Sequence, residues 1–157
     1  MFEDLPDVEY VFVPIGGGSG AAGCCLVRTS LGSRAKIIGV QAERADAFAR
    51  SWHGAERVVG ERADTFAEGV ATRVTFDLTF PFLKTELEDV VTLSEAELGE
   101  GVRAALSFTH NLAEPAGAAP LVAARKYGAS LAGKKVACVM TGGNIDAATL
   151  RRVLAAD

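Results

Sequence analysis

Three consecutive glycines, Gly16, Gly17 and Gly18, stand between an apolar run at 9–15 (EYVFVPI) and a stretch of small and apolar residues at 20–31 (GAAGCCLVRTSL). The first run is rich in β-branched and aromatic side chains without polar alternation, which predicts a strand buried on both faces. The second suits a helix packed closely against such a strand. The same order then repeats: residues 36–42 (KIIGVQA) read as a buried strand, and 44–52 (RADAFARSW) as a helix placing Ala45, Phe48, Ala49 and Trp52 on one face. A β-α-β-α order favours parallel strands with helices on both sides of the sheet. The fold class that follows is α/β, in three layers.

The remainder extends the pattern. Residues 60–76 have mixed character and are expected to form a loop with a short helix, and 77–88 read as helical. Residues 89–93 form a short strand, followed by Ser94-Glu95-Ala96-Glu97, a capping-box pattern in which Ser94 takes an amide proton at the helix start while Glu97 bonds back. The helix it opens is expected to reach His110, with Leu98, Val102, Ala105 and Leu106 inward. Pro115 suits the first turn of a further helix closing near Tyr127-Gly128. Residues 135–140 (KVACVM) read as a strand that breaks at Gly142-Gly143, and Asp146 caps a last helix over 147–155. The sheet is expected to be mostly parallel with about four strands.

With 157 residues and no internal repeat or linker, the chain is sized for a single domain around one core. A net charge of −4 without a run of Lys or Arg excludes the basic stripe that nucleic acid requires. No apolar stretch approaches the ~18 residues of a membrane span, and the acidic start MFEDLPDVEY is unlike a secretory signal, so a cytoplasmic location is expected. Cys24, Cys25 and Cys138 are odd in number, and His53 and His110 show no zinc-ligand spacing with them, which points to reduced, buried thiols.

A glycine run where a strand hands over to a helix leaves backbone amides facing the positive helix end, an arrangement that holds phosphate. Three readings of the loop stay open. It is a phosphate cradle, a tight turn with nothing bound, or part of a dinucleotide fingerprint, since Gly18, Gly20 and Gly23 make a G-x-G-x-x-G and Glu43 ends the next strand as its ribose-binding acid.

Residues beyond the loop carry a further likeness. The runs VFVPIGGGSGAAG, IIGVQAE, FAEGVA, EDVVTLSEAEL, LAEPAGAA and VACVMTGGNID resemble, in this order, the large domain of the threonine dehydratases and serine racemases. These are pyridoxal-phosphate enzymes of fold type II, the tryptophan synthase β-like fold, of which this chain would be the C-terminal part of the large domain. The resemblance implies that Gly16, Gly17, Gly18, Ser19 and Gly20 cradle the phosphate of pyridoxal 5'-phosphate, with Ser19 where the family loop more often has glycine. It assigns Thr141 to the pyridine nitrogen, and Glu114, Glu68 and Gly69 to the surroundings of the ring. It implies a small amino-acid substrate, L-threonine or L-serine, lost as ammonia and a 2-oxo acid.

The family bonds its cofactor to a lysine in a serine-x-lysine-x-arginine-glycine motif that this sequence does not contain. Lys36, Lys84, Lys126, Lys134 and Lys135 read as ordinary solvent positions, so no catalytic residue is assigned and the chain is expected to be inactive alone. The N-terminal, lysine-bearing half is expected to be absent, with the chain working as a homo-oligomer or with that half. Some relatives bind a divalent cation through a glutamate, a carbonyl and an aspartate; Glu43 and Ala47 match the first two, but Ala49 replaces the aspartate, with Asp46 nearby, and no metal is expected.

Overall fold

The computed structural model describes residues 1–156. The apolar runs form strands β1 (Tyr10–Pro14), β2 (Lys36–Ala42), β3 (Asp89–Leu93) and β4 (Val136–Cys138), all parallel, in the order β3-β2-β1-β4. β1 and β2 are central, which is why their side chains are apolar on both faces. Successive residues point to opposite sides, so Val11, Val13, Ile15 and Ile37 enter one core and Phe12, Ile38, Val40 and Leu93 the other.

Helices α1 (Ser19–Ser30), α2 (Ala47–His53) and α3 (Phe80–Glu86) cover the first face, contributing Ala21, Cys25, Phe48, Phe80 and Leu83. Helices α4 (Glu95–Ala104) and α5 (Pro115–Tyr127) cover the second through Leu98, Ala116, Ala119 and Val122. α6 (Ala147–Leu154) packs outside them, with Val153 against Val102 and Ala118. Small residues let α4 and α5 approach closely: a Cβ at Gly101 would lie 3.0 Å from the Ala118 carbonyl oxygen. The three-layer α/β arrangement read from the sequence is the one observed.

Several boundaries differ from those expected. The helix expected over 44–52 splits into a 3-10 turn, Glu43–Ala45, and α2; Trp52 is only half-buried, its indole N–H donating to the Leu83 carbonyl at 3.3 Å. The helix expected over 77–88 is confined to α3. α4 does not run to His110 as an α-helix, because Ala105–Thr109 widen into a π-turn. There the Ala105 carbonyl accepts from the Thr109 hydroxyl at 2.7 Å and the Asn111 amide at 3.3 Å, and His110 ends the turn in the left-handed region at φ 55°. This turn rotates Leu106 outward, to 36% exposure, where the periodicity had placed it inward. β4 keeps only residues that pair with β1, shorter than the apolar run that signalled it. No helix among the described residues is long and apolar enough to cross a membrane.

Candidate active site

From β1 the chain winds outward to β2 and β3, whereas β4 lies on the other side of β1. The reversal falls at the carboxyl ends of β1 and β4, the crevice position where open α/β sheets receive ligands. Gly16-Gly17-Gly18 leave β1 there, and Thr141-Gly142-Gly143 follow β4.

Gly18 is the N-cap of α1 at φ 85°, a left-handed conformation that favours glycine. Its pro-Cβ space is taken by Leu83 Cδ1 at 2.8 Å and Thr79 Oγ1 at 2.9 Å. Among the described residues no backbone carbonyl accepts from the amides of Gly16, Gly17 or Gly18, and Gly17, Ser19 and Gly20 are exposed. Free amides at the positive end of a twelve-residue helix suit an anion.

The other residues singled out in the sequence converge on this loop. A Cβ at Gly16 would stand 2.3 Å from the carbonyl oxygen of Gly69, which belongs to a 3-10 turn, Glu68–Val70. A Cβ at Gly69 would in turn meet Ala116 Cβ at 2.9 Å and Glu114 Oε1 at 3.1 Å, and one at Gly142 would meet Glu114 Oε1 at 2.7 Å. The Glu114 amide donates to the Gly142 carbonyl at 3.2 Å. Gly16, Gly69, Glu114 and Gly142 thus form a contiguous wall, with the exposed Thr141 at its end. Glu68 lines a hollow of about 200 Å³ together with Glu114, Phe66, Asn144 and Thr149.

Residues not singled out in the sequence hold this arrangement in place. Gln41, 1% exposed in β2, donates to the Ile15 carbonyl at 3.3 Å and accepts from the Ala49 amide at 2.9 Å, tying the last residue before the glycine run to α2. A polar residue inside KIIGVQA was the signal for it. Gly117 is required because a Cβ there would lie 2.2 Å from the Thr141 carbonyl oxygen. Thr79 donates its hydroxyl to the Gly17 carbonyl at 2.7 Å, and nothing in the sequence around it marks that role.

The lysines are all engaged away from the crevice. Lys36 pairs with Glu88, Lys134 with Glu9 and Lys135 with Asp7. The hydrogen bonds to Glu88 and Glu9 hold Lys36 and Lys134 above the usual lysine range, opposite to what a nucleophilic amine needs. Lys84 and Lys126 are exposed, as the sequence suggested, and both are engaged. Lys84 caps α2 through the carbonyls of Ser51, Trp52 and Gly54, and Lys126 lies 3.0 Å from Glu97 and 4.0 Å from Glu43.

The dinucleotide reading meets a geometric objection. Its third glycine serves close helix-strand packing, yet a Cβ at Gly23 would have nothing within 4 Å and one at Gly20 only an ordinary contact with Val13 at 4.0 Å. The positions that demand glycine are Gly16 and Gly18.

Comparison with known proteins agrees with this geometry. The chain is 38% identical over 156 residues to the L-threonine ammonia-lyase of Thermotoga maritima, covering 98% of this chain and 38% of that protein. It is 30% identical over 146 residues to the beta-hydroxyaspartate dehydratase of Paracoccus denitrificans, covering 93% and 46%. Among solved structures, the T.th. threonine deaminase superposes with a TM-score of 0.84 at 32% identity, over 92% of this chain and 53% of that one. Isoform 2 of threonine deaminase from Solanum lycopersicum gives 0.89 at 26% identity, over 97% and 45%. The chain therefore spans about half the length of these relatives or less. Nothing in these likenesses supports a dinucleotide domain. A family described as "Pyridoxal-phosphate dependent enzyme" matches residues 1–142, and the chain belongs to that family, in its fold type II branch with the threonine dehydratases and serine racemases.

Proposed function

We propose that this chain forms the phosphate-binding and ring-nitrogen side of the active site of a pyridoxal-phosphate-dependent ammonia-lyase acting on L-threonine or L-serine, releasing ammonia and a 2-oxo acid. The observation that carries the reading is the contiguous wall at the winding reversal, which runs from the free glycine-loop amides through Gly69 and Glu114 to Gly142 and Thr141. In this reading Gly16, Gly17, Gly18, Ser19 and Gly20 hold the cofactor phosphate through their amides and the positive end of α1. Thr141 meets the ring nitrogen with its hydroxyl, while Glu114, Glu68 and Gly69 line the ring. When bound, pyridoxal phosphate supplies the electron withdrawal that acidifies the substrate α-carbon. Because Thr141 offers a hydroxyl and not a carboxylate, it does not hand a full proton to the ring nitrogen, which tilts the chemistry towards loss of a β-hydroxyl.

The amine that bonds the cofactor and moves the α-proton comes, in this reading, from polypeptide outside these 157 residues, in an oligomer or a complementing half. The exposure of Leu78 (91%) and Phe108 (84%) supports additional packing. The test is equilibrium dialysis with pyridoxal phosphate: the wild-type chain retains it, and Gly18→Asp, which sets a carboxylate in the cradle, loses retention by roughly tenfold or more. In a second arm, 2-oxo acid release from L-serine and L-threonine appears only when a polypeptide with the lysine motif is added. Turnover by this chain alone would overturn the assignment of the amine. Saturable binding of a nicotinamide dinucleotide, lost in Glu43→Ala, would overturn the cofactor.

A further inference from the structure

Behind the glycine loop, on the side away from the crevice, lies the start of α3. Thr79, its N-cap residue, is half-buried and donates to the Gly17 carbonyl at 2.7 Å, while its Oγ1 and Cβ and the fully buried Leu83 occupy the space beside Gly18. The Gly17-Gly18 peptide is trans, as are all those described, so its C=O and N–H point in opposite directions. Pinning the carbonyl to Thr79 therefore aims the Gly18 N–H away from α3 and into the cradle.

The segments on either side of Thr79 are held from behind. Arg57 donates to the Thr75 hydroxyl at 2.5 Å, to the Thr75 carbonyl at 2.6 Å and to Asp77. Within α3, Lys84 caps α2, and the Trp52 indole donates to the Leu83 carbonyl. The Thr79 carbonyl accepts from the amide of the fully buried Leu83 at 2.9 Å, so the residue carrying the hydroxyl is anchored to the first core without any ligand, as preorganised anion binding requires.

We propose that Thr79 is a positioning residue for the cofactor phosphate: its hydroxyl sets the Gly17-Gly18 peptide so that the Gly18 amide is presented to the anion. The proposal rests on the reading of the loop as a phosphate cradle, and the experiment separates the two. Thr79→Val keeps the shape and removes the donor. Titrations with pyridoxal phosphate, inorganic phosphate and pyridoxal, which lacks the phosphate, are read by fluorescence and by the phosphorus resonance of the bound anion. The expected result is about 3–10-fold weaker binding of both phosphate ligands to Thr79→Val and an altered phosphorus shift, the size of one lost neutral hydrogen bond. Pyridoxal binding stays unchanged, and Thr79→Ser binds like the wild type.

Equal binding by wild type and Thr79→Val would overturn the role of Thr79 while leaving the cradle standing. Absence of phosphate binding in the wild type would overturn the cradle and this role with it. A matching loss of pyridoxal affinity would show a merely structural effect and overturn the proposal. Should Thr79→Val fail to fold, Thr79→Ala takes its place: weaker binding of both phosphate ligands with pyridoxal unchanged supports the role of the hydroxyl, and binding equal to that of Thr79→Ser overturns it.

Discussion

At the scale of single residues, glycine identity is dictated by what a Cβ would strike. Gly16 faces a backbone carbonyl that cannot move without shifting the Glu68–Val70 turn, whereas Gly23 faces open space. Gly16→Ala is therefore expected to weaken pyridoxal phosphate binding roughly tenfold or more, and Gly23→Ala to leave it within about twofold, in a fluorescence titration. A dinucleotide fingerprint would give the opposite order. The glycine run stood out in the sequence, but which of its glycines leave no room for a Cβ did not, because that depends on Gly69, Thr79 and Leu83, distant in sequence. The thiols behave as the sequence suggested for Cys25, which is buried, while Cys24 and Cys138 are half-buried. Burial pushes Cys25 and Cys138 up to about 11. At pH 8 both are expected to react with an aromatic disulfide reagent far more slowly in the folded chain than after unfolding, since the thiolate is the reactive form.

At the scale of elements, the clearest local signal was the capping box of α4, and it forms as written. The Ser94 hydroxyl accepts from the Glu97 amide at 3.3 Å, and Glu97 Oε2 accepts from the Ser94 amide at 2.7 Å. Ser94→Ala is expected to cost about 1 kcal/mol in urea unfolding. Burial pulls the Glu97 carboxyl upward, but the Ser94 amide, the Lys126 ammonium and the Ser94 hydroxyl outweigh it and hold the group below the usual glutamate range. A lowered folded value contributes stability that is present above the unfolded value and is lost as pH falls through the folded one. Glu97→Gln should therefore flatten the acid limb of the stability profile below about pH 4.5 and be nearly silent in slope above about pH 6, measured by unfolding midpoints. Where the elements departed from expectation, the hydrogen-bond partners open to particular backbone groups decided. The widened turn after Ala104 accommodates the Thr109 hydroxyl and Asn111 amide on one carbonyl, and β4 ends opposite Phe12, although β1 runs on to Pro14, which has no N–H to donate.

At the scale of the whole molecule, the two cores lie on either side of the sheet, and Gly39 in β2 shows how tightly the first packs onto it. A Cβ there would lie 2.3 Å from Ile15 Cδ1 and 3.4 Å from Val90 Cγ2. Gly39→Ala is expected to cost about 1–3 kcal/mol by overpacking, read as a lower denaturation midpoint. The sequence by itself determined the α/β class, the parallel strands and the segments that build the crevice. Apolar runs without alternation, helix periodicity and glycine punctuation are local consequences of which faces must be buried. Its motif likeness also named Gly16, Glu68, Gly69, Glu114 and Thr141. Tertiary structure alone decided that these segments share one wall, because the wall depends on the order β3-β2-β1-β4 and on close backbone approaches between segments far apart along the chain. It alone revealed Thr79 and Gly117, which hold or admit a backbone carbonyl in one orientation. Such roles leave no periodicity or spacing in a chain, since what they recognise exists only once the sheet has brought the loops together.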